Sequence, residues 1–325
     1  MNTMPHKNRV AVLRGGPCVE HDVSMKTGSG VLATLVDSPF TTKDIIITKA
    51  GEWLVHGYVK TPQQALCDID IVFVALHGAY GEDGTVQRIL ERLAIPYTGS
   101  GPYASSVAMN KVLTKDFLKK NTDAIKMAPH IKVTKDGVAN VTQLANSIMQ
   151  LFGPEYVIKP VFGGSSIGTV LATQGSLVRS IVAALEENDE IIVEKRIHGK
   201  EATVGILENF RSQLHYQLPE IEIVPPPQAD FFSADVKYTG ETQEICPGRF
   251  SKSEKEELQQ VAKDVHILLG LKQYSRSDFI VAEDGIYFLE VNTLPGLTSE
   301  SLFPKSMEAV GSSYNELVQH LLITV

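Results

Sequence analysis

Arg276 and Asp278 stand two residues apart at the start of the strand-like run 277–282, and Glu290 and Asn292 stand two apart where the run 286–291 ends. Alternate residues of a β-strand share one face, so each pair points one way. If the two strands pair face to face, two carboxylates, an amide oxygen and a guanidinium converge. Such hard oxygen donors suit Mg²⁺ and the phosphate oxygens it bridges. A surface salt-bridge ladder would use the same residues. The run Ile286-Tyr-Phe-Leu289 before Glu290 has core character and favours the buried site. Asn292-Thr-Leu-Pro-Gly296 then forms a turn whose free backbone amides can face an oxyanion.

Other candidates are weaker one by one. Lys159 ends a buried strand and precedes Gly163-Gly-Ser-Ser-Ile-Gly168, where an ammonium and backbone amides can hold phosphates. A plain flexible hairpin reads the same way, and the P-loop pattern is absent. Glu194-Lys-Arg-Ile197 followed by Glu201 suits either a nucleotide edge or a solvated charged turn. Lys237-Tyr238 lies in a long loop that can deliver a cation on closing. Glu20 can capture a substrate ammonium, although Asp22 or Ser24 nearby would serve as helix caps. His77 ends a buried strand, as a substrate contact or as a satisfied histidine. Ser301-Leu302 can hold a carboxylate or start a helix.

The positioning elements follow from periodicity. Apolar runs at 10–13, 45–48, 71–76 and 95–98 alternate with amphipathic stretches, an α/β pattern with parallel strands. Gly-rich turns after three of these runs mark a ligand edge. A helix is expected over 109–120, and the polar stretch 121–141 reads as a boundary. Strands follow at 156–159, 169–172, 191–195 and 201–207, with a helix at 177–187. The stretch 218–247 reads as strands joined by an exposed loop. A helix over 253–269 has the capping box Ser253-x-x-Glu256 and ends at Gly270. Strands 277–282 and 286–291 turn at Glu283-Asp-Gly285, and a last helix covers 313–322.

The 325 residues suffice for two or three packed units. A net charge of −8 argues against nucleic acid as the main partner. Three scattered cysteines without a metal or redox spacing fit a reducing cytoplasm. The N-terminal region offers no signal peptide or membrane span.

In order along the chain stand Gly15-Gly-x-x-x-Glu20-x-x-Val-Ser24, Leu76-His-Gly-x-x-Gly-Glu-Asp-Gly84, Pro96-Tyr-Thr-Gly-Ser-Gly101 and Met109-Asn-Lys111. Ile158-Lys-Pro160, Gly164-Ser-Ser-Ile-Gly168, Lys237-Tyr238, Arg276-x-Asp278, Glu290-Val-Asn292 and Pro295-Gly-x-Thr-Ser-x-Ser-Leu302 continue the series. This ordered set resembles the D-alanine:D-alanine ligases of the ATP-grasp superfamily, almost end to end.

The resemblance implies an α/β and α+β protein in three parts: an N-terminal α/β domain, 1–108, a central ATP-grasp subdomain, 109–198, and a C-terminal one, 199–325, with lid and metal site. It implies that ATP converts one D-alanine to an acyl phosphate, which the amine of a second D-alanine attacks. Glu20 would bind the first ammonium and, with Ser165 and Tyr238, tie the lid to the N-terminal domain, while His77 would contact substrate. Lys111, Lys159 and Lys237 would hold phosphates, with Ser165 in the same turn. Glu194, Lys195, Arg196 and Ile197 would line the adenine pocket, and Glu201 would meet the ribose. Asp278, Glu290 and Asn292 would bind two Mg²⁺ ions, with Mn²⁺ as a substitute. Arg276 and the Gly296 amide would stabilise the oxyanion, and Ser301 with Leu302 would hold the second carboxylate. A homodimer in the cytoplasm is the family pattern. A D-alanine:D-lactate ligase would share the ATP machinery. A nicotinamide dehydrogenase lacks its Gly-x-Gly-x-x-Gly after the first strand, and an ATP sensor would not need Arg276.

Overall fold

The computed structural model describes residues 9–137, 140–164, 167–226 and 242–325. Its first sheet contains β1 (Arg9–Gly15), β2 (Thr41–Ile47), β3 (Trp53–Val55), β4 (Tyr58–Lys60) and β5 (Ile71–Val74), in the order β4-β3-β2-β1-β5. Within it, β1 runs parallel to β2 on one side and β5 on the other, with α1 (His21–Thr34) as the first crossover. The run at 95–98 is no full strand but a single parallel bridge, Val72 to Tyr97. The sheet is completed instead by the short antiparallel β3 and β4. They turn on His56 and Gly57, both at positive φ, as a two-residue hairpin demands. Helices α2 (Pro62–Ala65) and α3 (Thr85–Arg92) complete this part.

The helix expected over 109–120 is broken at its start. Asn110 is extended and separates α4 (Pro102–Met109) from α5 (Lys111–Asn121), and its side chain accepts from Leu113 N at 2.9 Å. An Asn cap of this kind places Lys111 at the first helical position and Lys115 one turn later on the same face.

The second sheet has the order β6-β9-β7-β8, from β6 (His130–Thr134), β7 (Glu155–Pro160), β8 (Val170–Thr173) and β9 (Glu190–Lys195). Its first strand lies in the polar stretch that reads as a boundary. Helices α6 (Val141–Phe152) and α7 (Leu177–Glu187) cover one face through Ile148, Ile181 and Leu185, packed on Tyr156, Ile158 and Val193.

The third sheet joins β10 (Lys200–Phe210), β11 (Gln213–Gln217), β12 (Ile221–Val224), β13 (Gln243–Ile245), β14 (Tyr274–Ala282) and β15 (Gly285–Asn292). Helix α8 (Lys252–Leu268) packs on it through Leu258, Val261, Ala262 and Val265. Its capping box is Ser251 with Glu254, two residues before the expected pair. Ser-x-x-Glu occurs twice here, and the buried Phe250 anchors the chain in front of Ser251. Ser251→Ala is therefore expected to cost about 1 kcal/mol in urea denaturation, and Ser253→Ala clearly less.

Helices α9 (Leu302–Ala309) and α10 (Tyr314–Ile323) return to the first core, where Phe303, Met307, Leu317 and Leu321 pack with Val12 and Phe73. Pro304 obscures α9 in the sequence but sits in its first turn, where a missing N–H costs nothing.

Candidate active site

The faces of β14 and β15 coincide. Arg276 is opposite Asn292 and Asp278 is opposite Glu290, with a bulge after Asp278 that ends this register. Asp278 is held from three sides. Arg276 Nε and Nη2 donate to it at 3.0 and 3.1 Å, Asn292 Nδ2 at 3.2 Å, and Thr203 Oγ1, from the neighbouring β10, at 2.6 Å. Glu290 meets the Lys111 ammonium at 3.3 Å. Bidentate pairing locks the guanidinium plane.

A cleft of about 230 Å³ opens between the second and third sheets. Lys111, Lys159, the segment Glu194 to Ile197, Glu201 and the cluster of Arg276, Asp278 and Glu290 all line it. The Glu194 carboxylate is buried between two cations, with Lys159 Nζ at 2.9 Å and Lys115 Nζ in direct ion pair. Burial raises the pKa of such a carboxyl, but the two ammonium groups outweigh it and hold Glu194 well below the ordinary carboxylate range. Lys159 stays protonated: burial works against the charge, and Glu194 and Glu290 overcome it. Lys195 N donates to Pro129 O, and Arg196 pairs with Glu155 at 3.3 Å, so this strand end is fixed to both flanking segments.

A second cavity, of about 760 Å³, lies between the first and third sheets and is lined by Glu20, His77, Glu82, Asn292, Gly296, Ser301 and Leu302. Arg276 and Glu290 line it too, so they sit where the two spaces meet. Glu20 stands at the start of α1, its carboxylate against Gly78, at φ 64 and with no room for a Cβ. Both His77 nitrogens are engaged, Nε2 with Thr27 Oγ1 at 2.8 Å and Nδ1 with Leu294 O at 3.0 Å, and burial pushes its pKa down. Ser301 precedes α9, and its Oγ accepts from Thr298 N at 3.0 Å. Leu302 is buried with Ile221 and Ile223. Ser165, Lys237 and Tyr238 lie outside the described residues.

Glu82, to which the sequence assigned no role, is the clamp between these parts. It accepts from Gly78 N at 2.9 Å, Thr293 N at 3.1 Å and Leu294 N at 3.0 Å. Two of the turn amides expected to be free are therefore taken by this carboxyl. Lys115 and Thr203 were also missed. Lys115 had a signal in its one-turn spacing from Lys111, and Thr203 had none. Burial first, then the Glu20 charge, raises Glu82 from its ordinary 4.5 to about 7, against the three amide donors. A carboxyl that is raised in the folded state adds stability below 4.5 and loses it as pH rises through about 7. Relative to Glu82→Gln, wild-type stability is expected to fall by on the order of 3 kcal/mol across that window. Urea denaturation at stepped pH measures it.

Residues 102–323 match the family described as D-ala D-ala ligase C-terminus, and residues 56–100 match D-ala D-ala ligase N-terminus. The chain belongs to the D-alanine–D-alanine ligase family. Among similar curated proteins, the D-alanine–D-alanine ligase of Leptospira interrogans is 34% identical, covering 97% of each chain. That of Halalkalibacterium halodurans is 37% identical, covering 96% of this chain and 97% of its own. Among solved structures, the D-alanyl-alanine synthetase A of Vibrio cholerae superposes with a TM-score of 0.83 at 26% identity, covering 99% of both chains. The VanG D-Ala:D-Ser ligase of Enterococcus faecalis gives 0.82 at 26% identity, covering 98% of this chain and 99% of its own. The three sheets are thus an ATP-grasp architecture, and enzymes of this family are ATP-dependent and need a divalent metal. No helix among the described residues is long and apolar enough to cross a membrane.

Proposed function

We propose that this protein joins two molecules of D-alanine at the expense of ATP, supplying a peptidoglycan precursor in the bacterial cytoplasm. The observation that carries this reading is the position of Arg276 and Glu290, shared by the cleft between the ATP-grasp sheets and the cavity facing the N-terminal sheet. Phosphates held in the first meet an amino-acid carboxylate held in the second at this junction.

The donor set fits a hard divalent cation: Asp278 and Glu290 offer carboxylate oxygens and Asn292 an amide oxygen, converging from paired strands. Mg²⁺, as two ions, is our choice, with Mn²⁺ as a substitute. Held by these residues, such a cation would supply charge neutralisation for the phosphates, the condition for a carboxylate to approach the γ-phosphoryl group. Lys111 and Lys159 hold the phosphates from the other side, with Lys237 closing from the lid segment. Glu194 fixes Lys159, and the backbone of Lys195, Arg196 and Ile197 borders the adenine, with Glu201 toward the ribose. Glu20, supported by Ser165 and Tyr238, binds the ammonium of the first D-alanine. Arg276 and the Gly296 amide stabilise the oxyanion formed when the second amine attacks the acyl phosphate. Ser301 and Leu302 hold the second carboxylate, and His77, fixed on both nitrogens, shapes the wall beside it. The working units are 1–108, 109–198 and 199–325, assembled as a homodimer.

Phosphate release with ATP and Mg²⁺, measured across D-alanine, L-alanine, D-serine and D-lactate with mass analysis of products, tests this. D-alanine alone should suffice and yield the dipeptide. Release that requires D-lactate beside D-alanine, with an ester as product, would overturn the acceptor assignment.

A further inference from the structure

The third sheet carries a second group of metal-ligating side chains on a hairpin outside both cavities. Glu208 on β10 and His215 on β11 are direct partners in the antiparallel register, and His266 reaches them from the last turn of α8. The His266 ring is fully buried, with Nδ1 at 2.7 Å from Ser275 Oγ. In the tautomer whose Nδ1–H donates to Ser275, Nε2 presents a lone pair to Glu208 Oε1 at 3.3 Å. His215 Nε2 approaches the same oxygen at 3.6 Å. The other Glu208 oxygen accepts from Gln273 N at 2.8 Å and is thereby oriented.

We propose that Glu208, His215 and His266 bind a divalent transition-metal ion of the zinc class. All three ligand atoms lie within 4.8 Å of one another. Bonds of about 2.0–2.1 Å in a tetrahedron put neighbouring ligand atoms about 3.3 Å apart, close to the two spacings seen here. Two imidazoles with one carboxylate suit zinc, and their partly exposed side leaves room for water as a fourth ligand. Ser275 and Gln273 supply the outer hydrogen bonds that such ligands require. Bound metal would pin the β10–β11 hairpin to α8 and brace β14 at Ser275, the residue before Arg276.

The test uses the full chain, stripped with chelator and kept in excess Mg²⁺ to occupy the carboxylates of the reaction cleft. Co²⁺ is titrated and read by its visible absorption, then displaced by Zn²⁺. Expected are one equivalent bound with the intense bands of tetrahedral nitrogen and oxygen ligation, and a rise in melting temperature with Zn²⁺. His215→Ala and Glu208→Gln should abolish both signals and, with Mg²⁺ present but no Co²⁺ or Zn²⁺, leave D-alanine-dependent phosphate release unchanged. Because His266 is buried, the variants are placed at the two ligands nearer the surface. Absence of Co²⁺ bands in wild type overturns the proposal, as does binding that both variants retain.

Discussion

Glu194→Ala is expected to lower the unfolding free energy at neutral pH by about 3–5 kcal/mol, the usual consequence of leaving a buried charge without its partner. Two cations are left, Lys115 and Lys159, with only 1% and 13% of their side chains exposed. Their mutual repulsion adds to the desolvation cost that Glu194 offsets. Nucleotide affinity should fall as well, because Lys159 loses the group that aims it into the cleft. The pH dependence has a definite sign. Glu194 is lowered in the folded state, so its stabilisation is present above its ordinary 4.5 and is lost as pH falls below that. In the variant, stability should instead recover as pH rises and the lysines give up protons. Chemical denaturation between acid and alkaline pH separates these trends, and equal curves for both proteins would remove Glu194 from this role.

Arg276→Ala should reduce turnover by about 10²–10³-fold, the cost of removing one donor to an oxyanion. ATP binding should change much less, since Lys111 and Lys159 remain. Arg276→Lys should recover little, because a point charge cannot reproduce the two parallel bonds at 3.0 and 3.1 Å that fix the guanidinium on Asp278. Steady-state kinetics paired with nucleotide titration distinguishes the two effects. Turnover retained by the alanine variant would remove Arg276 from the reaction.

The convergence of Arg276, Asp278, Glu290 and Asn292 was legible in advance because it depends on two local facts, the period of a strand and the Asp-Gly turn that sets its register. Limits of α7 were equally readable from its apolar spacing. What failed was decided over longer distances. Ser251 and Ser253 satisfy the same capping pattern, and the burial of Phe250 chooses between them. The run 95–98 has strand character but finds a partner only at Val72. Glu82 belongs to a recognisable string, yet its use depends on Thr293 and Leu294, more than 200 residues away. The two lysines around Glu194 come from α5 and β7, and nothing local to any of the three announces the others.

The central claim is that a D-alanine carboxylate is phosphorylated at the junction of the two cavities. D-alanine carrying heavy oxygen in its carboxylate, turned over with ATP and Mg²⁺, tests it directly by mass analysis of the phosphate released. An acyl phosphate transfers one carboxylate oxygen to phosphate when the amine displaces it, so the account predicts a single heavy oxygen in each phosphate formed with dipeptide. Dipeptide formation with unlabelled phosphate would contradict it.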